Sequence, residues 1–243
     1  MKFRFITLLA LLVLSAAALI PVSVRAEEME DDPLLYMVDV EKLEMRVSEG
    51  DNPIEWDAEA WIGKDLNKLW FKTEGEYLDE KIDSAEFQAL YSRAVAPYWD
   101  FQAGVRRDIR QEPGMPDRNW LALGFEGEAP YDIGIDTALF LGEYGRSSLR
   151  FKADYDILLT QRLILMPEFE ANLFGKNDPA TRTGSGLSET ELGLRLRYEI
   201  LREFAPYIGV NWDRLWGKTE DYAREDGESY DQVQFVMGVR FRF

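Results

Sequence analysis

Val233-Gln234-Phe235-Val236-Met237-Gly238-Val239-Arg240-Phe241-Arg242-Phe243 is the stretch that decides the fold. Every second residue from Val233 is apolar, while Gln234, Gly238, Arg240 and Arg242 make the alternate positions mostly polar. A period of two belongs to a β-strand with one apolar and one mostly polar face. The stretch ends on the apolar face, with an aromatic residue.

The same alternation recurs through the preceding chain. It predicts strands over about Leu34–Val47, Ile54–Ile62, Leu66–Tyr77, Ser84–Val95, Tyr98–Arg107, Trp120–Glu128, Tyr131–Leu141, Ser147–Leu159, Leu163–Phe174, Leu187–Ile200 and Ala205–Trp216. With the final stretch the expected count is twelve. In the first strand Tyr36, Val38 and Val40 give way to Leu43, Met45 and Val47, a change of parity that predicts a bulge.

The expected connections sort by length. Those after strands two, four, six, eight and ten are two to four residues, and those after five, nine and eleven are about twelve. Connections after one, three and seven are intermediate. A soluble sandwich has no reason to sort its loops, whereas outer-membrane barrels do, with both termini on the short-turn, periplasmic side. Ala-Pro-Tyr repeats at 96–98, 129–131 and 205–207. Proline at a strand start removes no ladder hydrogen bond, and the repeat predicts Tyr98, Tyr131 and Tyr207 at the periplasmic interface. A terminal Phe on an alternating strand also resembles the closing strand of bacterial outer-membrane barrels, where it is an assembly signal. The expected fold is all-β: a transmembrane antiparallel up-and-down β-barrel of about 12 strands, with short periplasmic turns and longer extracellular loops. A soluble all-β domain is the alternative.

Composition agrees. Seven Trp and fourteen Phe stand beside a negative mean hydropathy, as expected where lipid-facing bands consume aromatics and the lumen stays polar. Lys2 and Arg4 precede an apolar run, Ile6–Ile20, and a Val24-Arg25-Ala26 cleavage pattern, so residues 1–26 read as a secretory signal. Residues 27–33 read as a short acidic periplasmic arm and 34–243 as the barrel. Residues 27–243 hold 25 basic and 45 acidic side chains, a net charge of −20. That surface repels nucleic acid and suits cations. Zero cysteines exclude disulfides and thiolate chemistry, and zero histidines remove the commonest general base and transition-metal ligand.

If the apolar faces meet lipid, the other faces line the interior with Glu55, Asp57, Glu59, Glu86, Asp154, Asp156, Glu168, Glu170, Glu189 and Glu191. Basic partners are Arg106, Arg150, Lys152, Arg195, Arg197, Arg240 and Arg242. One reading is a plugged lumen of cross-strand ion pairs; the other is a cation site or pathway built from the excess carboxylates. Outer-membrane phospholipases, lipid A deacylases and aspartyl-type proteases rely on histidine, and without histidine those mechanisms are closed to this chain. A carboxylate-pair glycosidase needs only two acids, but no spacing selects a pair. The chain is not expected to be an enzyme.

Particular segments carry a resemblance. Trp61-Ile62-Gly63-Lys64-Asp65-Leu66-Asn67-Lys68-Leu69-Trp70 with Glu74-Gly75-Glu76, then Leu90-Tyr91-Ser92-Arg93 and Leu158-Leu159-Thr160-Gln161-Arg162-Leu163, resemble the copper-resistance protein B family. So do Gly193-Leu194-Arg195-Leu196-Arg197-Tyr198-Glu199-Ile200 and the run Arg202–Val210. The resemblance implies an outer-membrane barrel that binds copper ions or passes them across the membrane. It also implies outer-membrane lipid around the barrel and a periplasmic multicopper oxidase or copper-binding protein as partner. A general small pore or structural barrel without metal specificity is the alternative. Family members often carry a Met/His-rich segment before the barrel, whereas Glu27–Asp32 holds only Met29 and no His. The remaining thioethers include Met37, Met45, Met115 and Met166. Met37 shares a face with Asp39 and Glu41, and Met166 with Glu168 and Glu170. Those six residues are the expected copper ligands, thioether for Cu(I) and carboxylate for Cu(II).

Overall fold

The computed structural model describes residues 32–48, 52–111 and 114–243. The expected signal, Met29 and most of the acidic arm lie outside those residues. Twelve strands follow in order: β1 (Leu35–Val47), β2 (Ile54–Lys64), β3 (Asn67–Leu78), β4 (Lys81–Ala96), β5 (Trp99–Arg110) and β6 (Arg118–Ala129). Then come β7 (Ile133–Gly142), β8 (Ser147–Tyr155, resumed beyond Asp156 as Ile157–Leu158), β9 (Leu163–Phe174), β10 (Gly186–Tyr198), β11 (Phe204–Leu215) and β12 (Asp231–Arg242). Each pairs antiparallel with its neighbour, and β12 pairs with β1 through Met45↔Met237 and Val40↔Phe241. Closure leaves no unpaired edge, which is what a sheet needs in hydrocarbon.

The alternation sorts as expected on β12. Phe235 and Met237 are exposed outward, while Gln234 and Val236 are buried inside. Ile208 on β11 and Leu121 on β6 extend the apolar outer surface. The parity change in β1 is a bulge: register slips between Val40 and Leu43 against β12, and between Val40 and Lys42 against β2. Because of it, the consecutive residues Glu41 and Lys42 both line interior cavities.

Four expectations need correction. The connection after strand five is seven residues, 111–117, rather than about twelve. Tyr207 is not at the periplasmic interface. β11 begins at Phe204, so Tyr207 falls on the inward parity, 4% exposed, and its hydroxyl donates to Glu44 Oε2 at 2.9 Å. Tyr98 and Tyr131 do sit in exposed short turns, both with positive φ. The connection after strand three is not intermediate: Asp79 and Glu80, at φ 47° and 67°, form a two-residue turn. Finally, the loop expected at 217–228 contains a helix, α1 (Gly217–Asp226), closed by Gly227 at φ 78°.

The interior is not uniformly polar. Trp70, Leu90, Trp120, Ala122 and Phe140 form a buried cluster inside the wall of β3–β7, with Met37 and Trp61 packed against it. Lys72 lies 5.3 Å over Trp70 and Arg106 lies 4.3 Å over Phe140, so the cluster also seats lumen cations.

Candidate functional site

Opposite that cluster, charge fills the lumen. Arg195 has no exposed surface; its guanidinium donates to both oxygens of Glu44, at 2.9 and 2.7 Å, and to Glu168 at 2.5 Å. Glu44 also receives Arg46 at 3.1 Å and the Tyr207 hydroxyl. Arg46 reaches Glu55, Glu191 and Asp213 as well. Fully hydrogen-bonded pairs of this kind contribute little net stability, but removing one member leaves an uncompensated charge that costs about 3–5 kcal/mol.

These pairs decide which expected ligands stay free. On β9, Glu168 is held by Lys42 at 2.7 Å and by Arg195. Glu170 is held by Arg150 at 3.4 Å and Lys152 at 3.6 Å, and accepts from Asn172 at 2.8 Å. The Met166 sulfur accepts from Arg197 at 3.5 Å. On β1, Asp39 has no exposed surface and takes Arg240 at 2.8 Å and Arg242 at 2.5 Å. Glu41, on the inward parity of Met37 and Asp39 and beside the bulge, has neither an ion pair nor a side-chain hydrogen bond among the described residues.

The register adds a residue that alternation alone did not single out. Asp39 pairs with Glu59 on β2, and oxygens of Asp39, Glu41 and Glu59 lie within 4.8 Å of one another. Glu59 also lacks an ion pair among the described residues. Its side chain was legible as inward-facing; its closeness to Glu41 depends on the bulge. Met37, Glu41 and Glu59 line a cavity of about 490 Å³ at the short-turn end. Glu41 also borders the adjoining cavity of about 300 Å³ that contains Met166, Glu168 and Glu170. The structure thus brings Met37, Glu41, Met166, Glu168 and Glu170 to two adjoining cavities at the short-turn end, with Glu41 bordering both, while the buried Asp39 lines neither.

Chemically, Glu41 and Glu59 are carboxylates in no direct ion pair among the described residues, with Arg240 near Glu41 and Lys72 near Glu59, beside a third whose charge two arginines balance. Such a set attracts a metal cation, with oxygen donors suited to Cu(II) and the Met37 thioether to Cu(I). Met37 also packs on apolar neighbours, which leaves the carboxylates as the more available donor groups.

The family described as "Copper resistance protein B precursor (CopB)" matches residues 34–243. Copper resistance protein B of Escherichia coli is 43% identical over 221 residues, covering 91% of this chain and 74% of that protein. A copper resistance protein B homolog of Pseudomonas syringae pv. tomato (strain ATCC BAA-871 / DC3000) is 47% identical over 203 residues, covering 84% of this chain and 68% of that protein. Among solved structures, the NanC porin superposes with a TM-score of 0.56 at 12% identity, covering 84% of this chain and 98% of that one. At that identity the likeness is one of fold.

Proposed function

This chain belongs to the copper resistance protein B family, as an outer-membrane β-barrel, and from that premise we propose that it binds copper ions in its periplasm-facing lumen. The observation that supports this reading is the Glu41–Glu59 pair, two carboxylates in no direct ion pair among the described residues, lining one cavity beside the buried Asp39. Glu44, Glu86 and Glu168 are tied to arginine or lysine, whereas Asp154 in the same cavity and Glu189 toward the long loops share the lack of an ion pair among the described residues. Copper entering from the periplasmic end meets Met37, Glu41 and Glu59 first, and Met166 lies in the neighbouring space. In this role the barrel passes or holds copper ions and does no catalysis. Its partner is a periplasmic multicopper oxidase or copper-binding protein delivering copper to the short-turn end.

Calorimetric titration of the refolded barrel with Cu(II) and with Cu(I) tests the proposal. The Glu41→Gln/Glu59→Gln double variant should weaken Cu(II) binding by about a hundredfold or more, since two donor charges are lost together. Equal binding by wild type and double variant would assign copper elsewhere. The densely paired interior favours a second reading, a barrel without metal specificity; Cu(II) affinity no greater than Mg(II) affinity is its signature.

A further inference from the structure

Four cavities lie along the interior, and two residues border all of them: Asp57 and Lys152. The largest, about 560 Å³, opens at the long-loop end beside Pro53 and Tyr230. Those of about 300 and 490 Å³ lie toward the short turns, bordered by Glu128. The two ends of the lumen therefore meet where Asp57 and Lys152 face each other. There the Lys152 ammonium sits among three carboxylates: Asp57 at 3.4 Å, Glu74 at 2.8 Å and Glu170 at 3.6 Å.

An ammonium on a flexible stem, centred among carboxylates at the junction of two aqueous spaces, occupies the position a passing cation would take. We propose that Lys152 is a tethered counter-ion that closes the lumen, and that a metal cation crosses between the two ends by displacing its ammonium from Asp57 and Glu170. The neighbouring Arg150 is fixed by Glu86 through two hydrogen bonds and by Glu74. Lys152 has no such bidentate partner, so it is the basic group free to swing. The inference rests on the reading of the lumen as a cation site, but it does not depend on copper.

The chain has no cysteine, which permits a clean test in planar bilayers with potassium chloride. Lys152→Cys should raise cation conductance about tenfold over wild type, because unneutralised carboxylates concentrate cations at the constriction. An aminoethyl methanethiosulfonate reagent, which puts an ammonium back on the thiol, should return conductance toward wild type from either side of the membrane. The sulfonatoethyl reagent should not. Lys152→Met keeps the stem without the charge and should conduct like Lys152→Cys. Lys68→Gln, which frees Asp100 near the short turns, should leave conductance unchanged. Wild-type conductance in both Lys152 variants overturns the proposal, as does a rise that aminoethylation fails to reverse or that Lys68→Gln reproduces. Because potassium is the probe, unchanged Cu(II) binding in Glu41→Gln/Glu59→Gln with an intact Lys152 response would reject the copper site alone.

Discussion

Tyr207 shows how far a single side chain's place depends on register. Its motif, Ala-Pro-Tyr, is shared with two turns in which the tyrosine is exposed, yet here it projects inward and donates to Glu44. Room for it comes from Gly238, where an added Cβ would stand 2.6 Å from the tyrosine ring and 2.8 Å from Glu44 Cβ. Tyr207→Phe removes a hydrogen bond to a charged acceptor and should destabilise the barrel by about 1.5–3 kcal/mol. Gly238→Ala should cost about 1–3 kcal/mol through overpacking. Urea unfolding in detergent, followed by tryptophan fluorescence, reads both; a wild-type midpoint for Tyr207→Phe would remove the hydroxyl from the network. The candidate ligands were legible to a similar depth. Alternation gave the inward direction of Asp39, Glu41, Glu168 and Glu170, since it needs only local parity. It did not give their partners: Lys42–Glu168 and Arg195–Glu44 join strands far apart in sequence, and only closure of the sheet brings them together.

Among the elements, strands were readable because one face of each meets lipid and declares itself in the sequence. Helix α1 was not, since the mean composition of Gly217–Asp226 is polar. Its local signals were the Glu220–Arg224 pair one turn apart, at 2.6 Å, and Gly227 at the C-terminal end. The helix packs over β10, buries Tyr222 and Ala223, and joins the 175–185 loop through Arg182–Asp226 and through Thr219, whose hydroxyl accepts from Gly184 N at 2.8 Å. The loop itself is pinned by Asp178, which receives Arg118 at 2.8 Å and Arg146 at 2.7 Å. Partial burial pushes the Asp178 carboxyl up, but the two arginines outweigh it and hold it below the usual carboxylate range. A depressed folded value means the clamp stabilises the loop fully above the unfolded pKa, about 3.9, and fades as pH falls through the lower folded value. Amide hydrogen exchange across 175–185, corrected for intrinsic rates, should show protection at neutral pH that declines only below about pH 4. Asp178→Asn should lower the neutral-pH protection; unchanged protection in that variant would leave the clamp without a role.

At the scale of the whole molecule, a chain with 45 acidic and 28 basic residues closes into a barrel whose interior gathers much of its charge. Arginines and lysines neutralise many carboxylates near the centre, and among the described residues Glu41, Glu59 and Asp154 are left without ion pairs toward the periplasmic end. A cation bound there stabilises the folded barrel by mass action, about 2.7 kcal/mol at a hundredfold excess over Kd. Cu(II) should therefore raise the thermal midpoint of wild type more than Mg(II) does, and should leave Glu41→Gln/Glu59→Gln unmoved. Equal shifts from both metals would indicate unspecific charge screening. The most direct measurement is anomalous diffraction at the copper edge from crystals soaked in Cu(II). Copper binding in the lumen predicts a peak bounded by Asp39, Glu41 and Glu59, about 2 Å from carboxylate oxygens; a lumen free of anomalous density, with copper only on the outer loops, would contradict it.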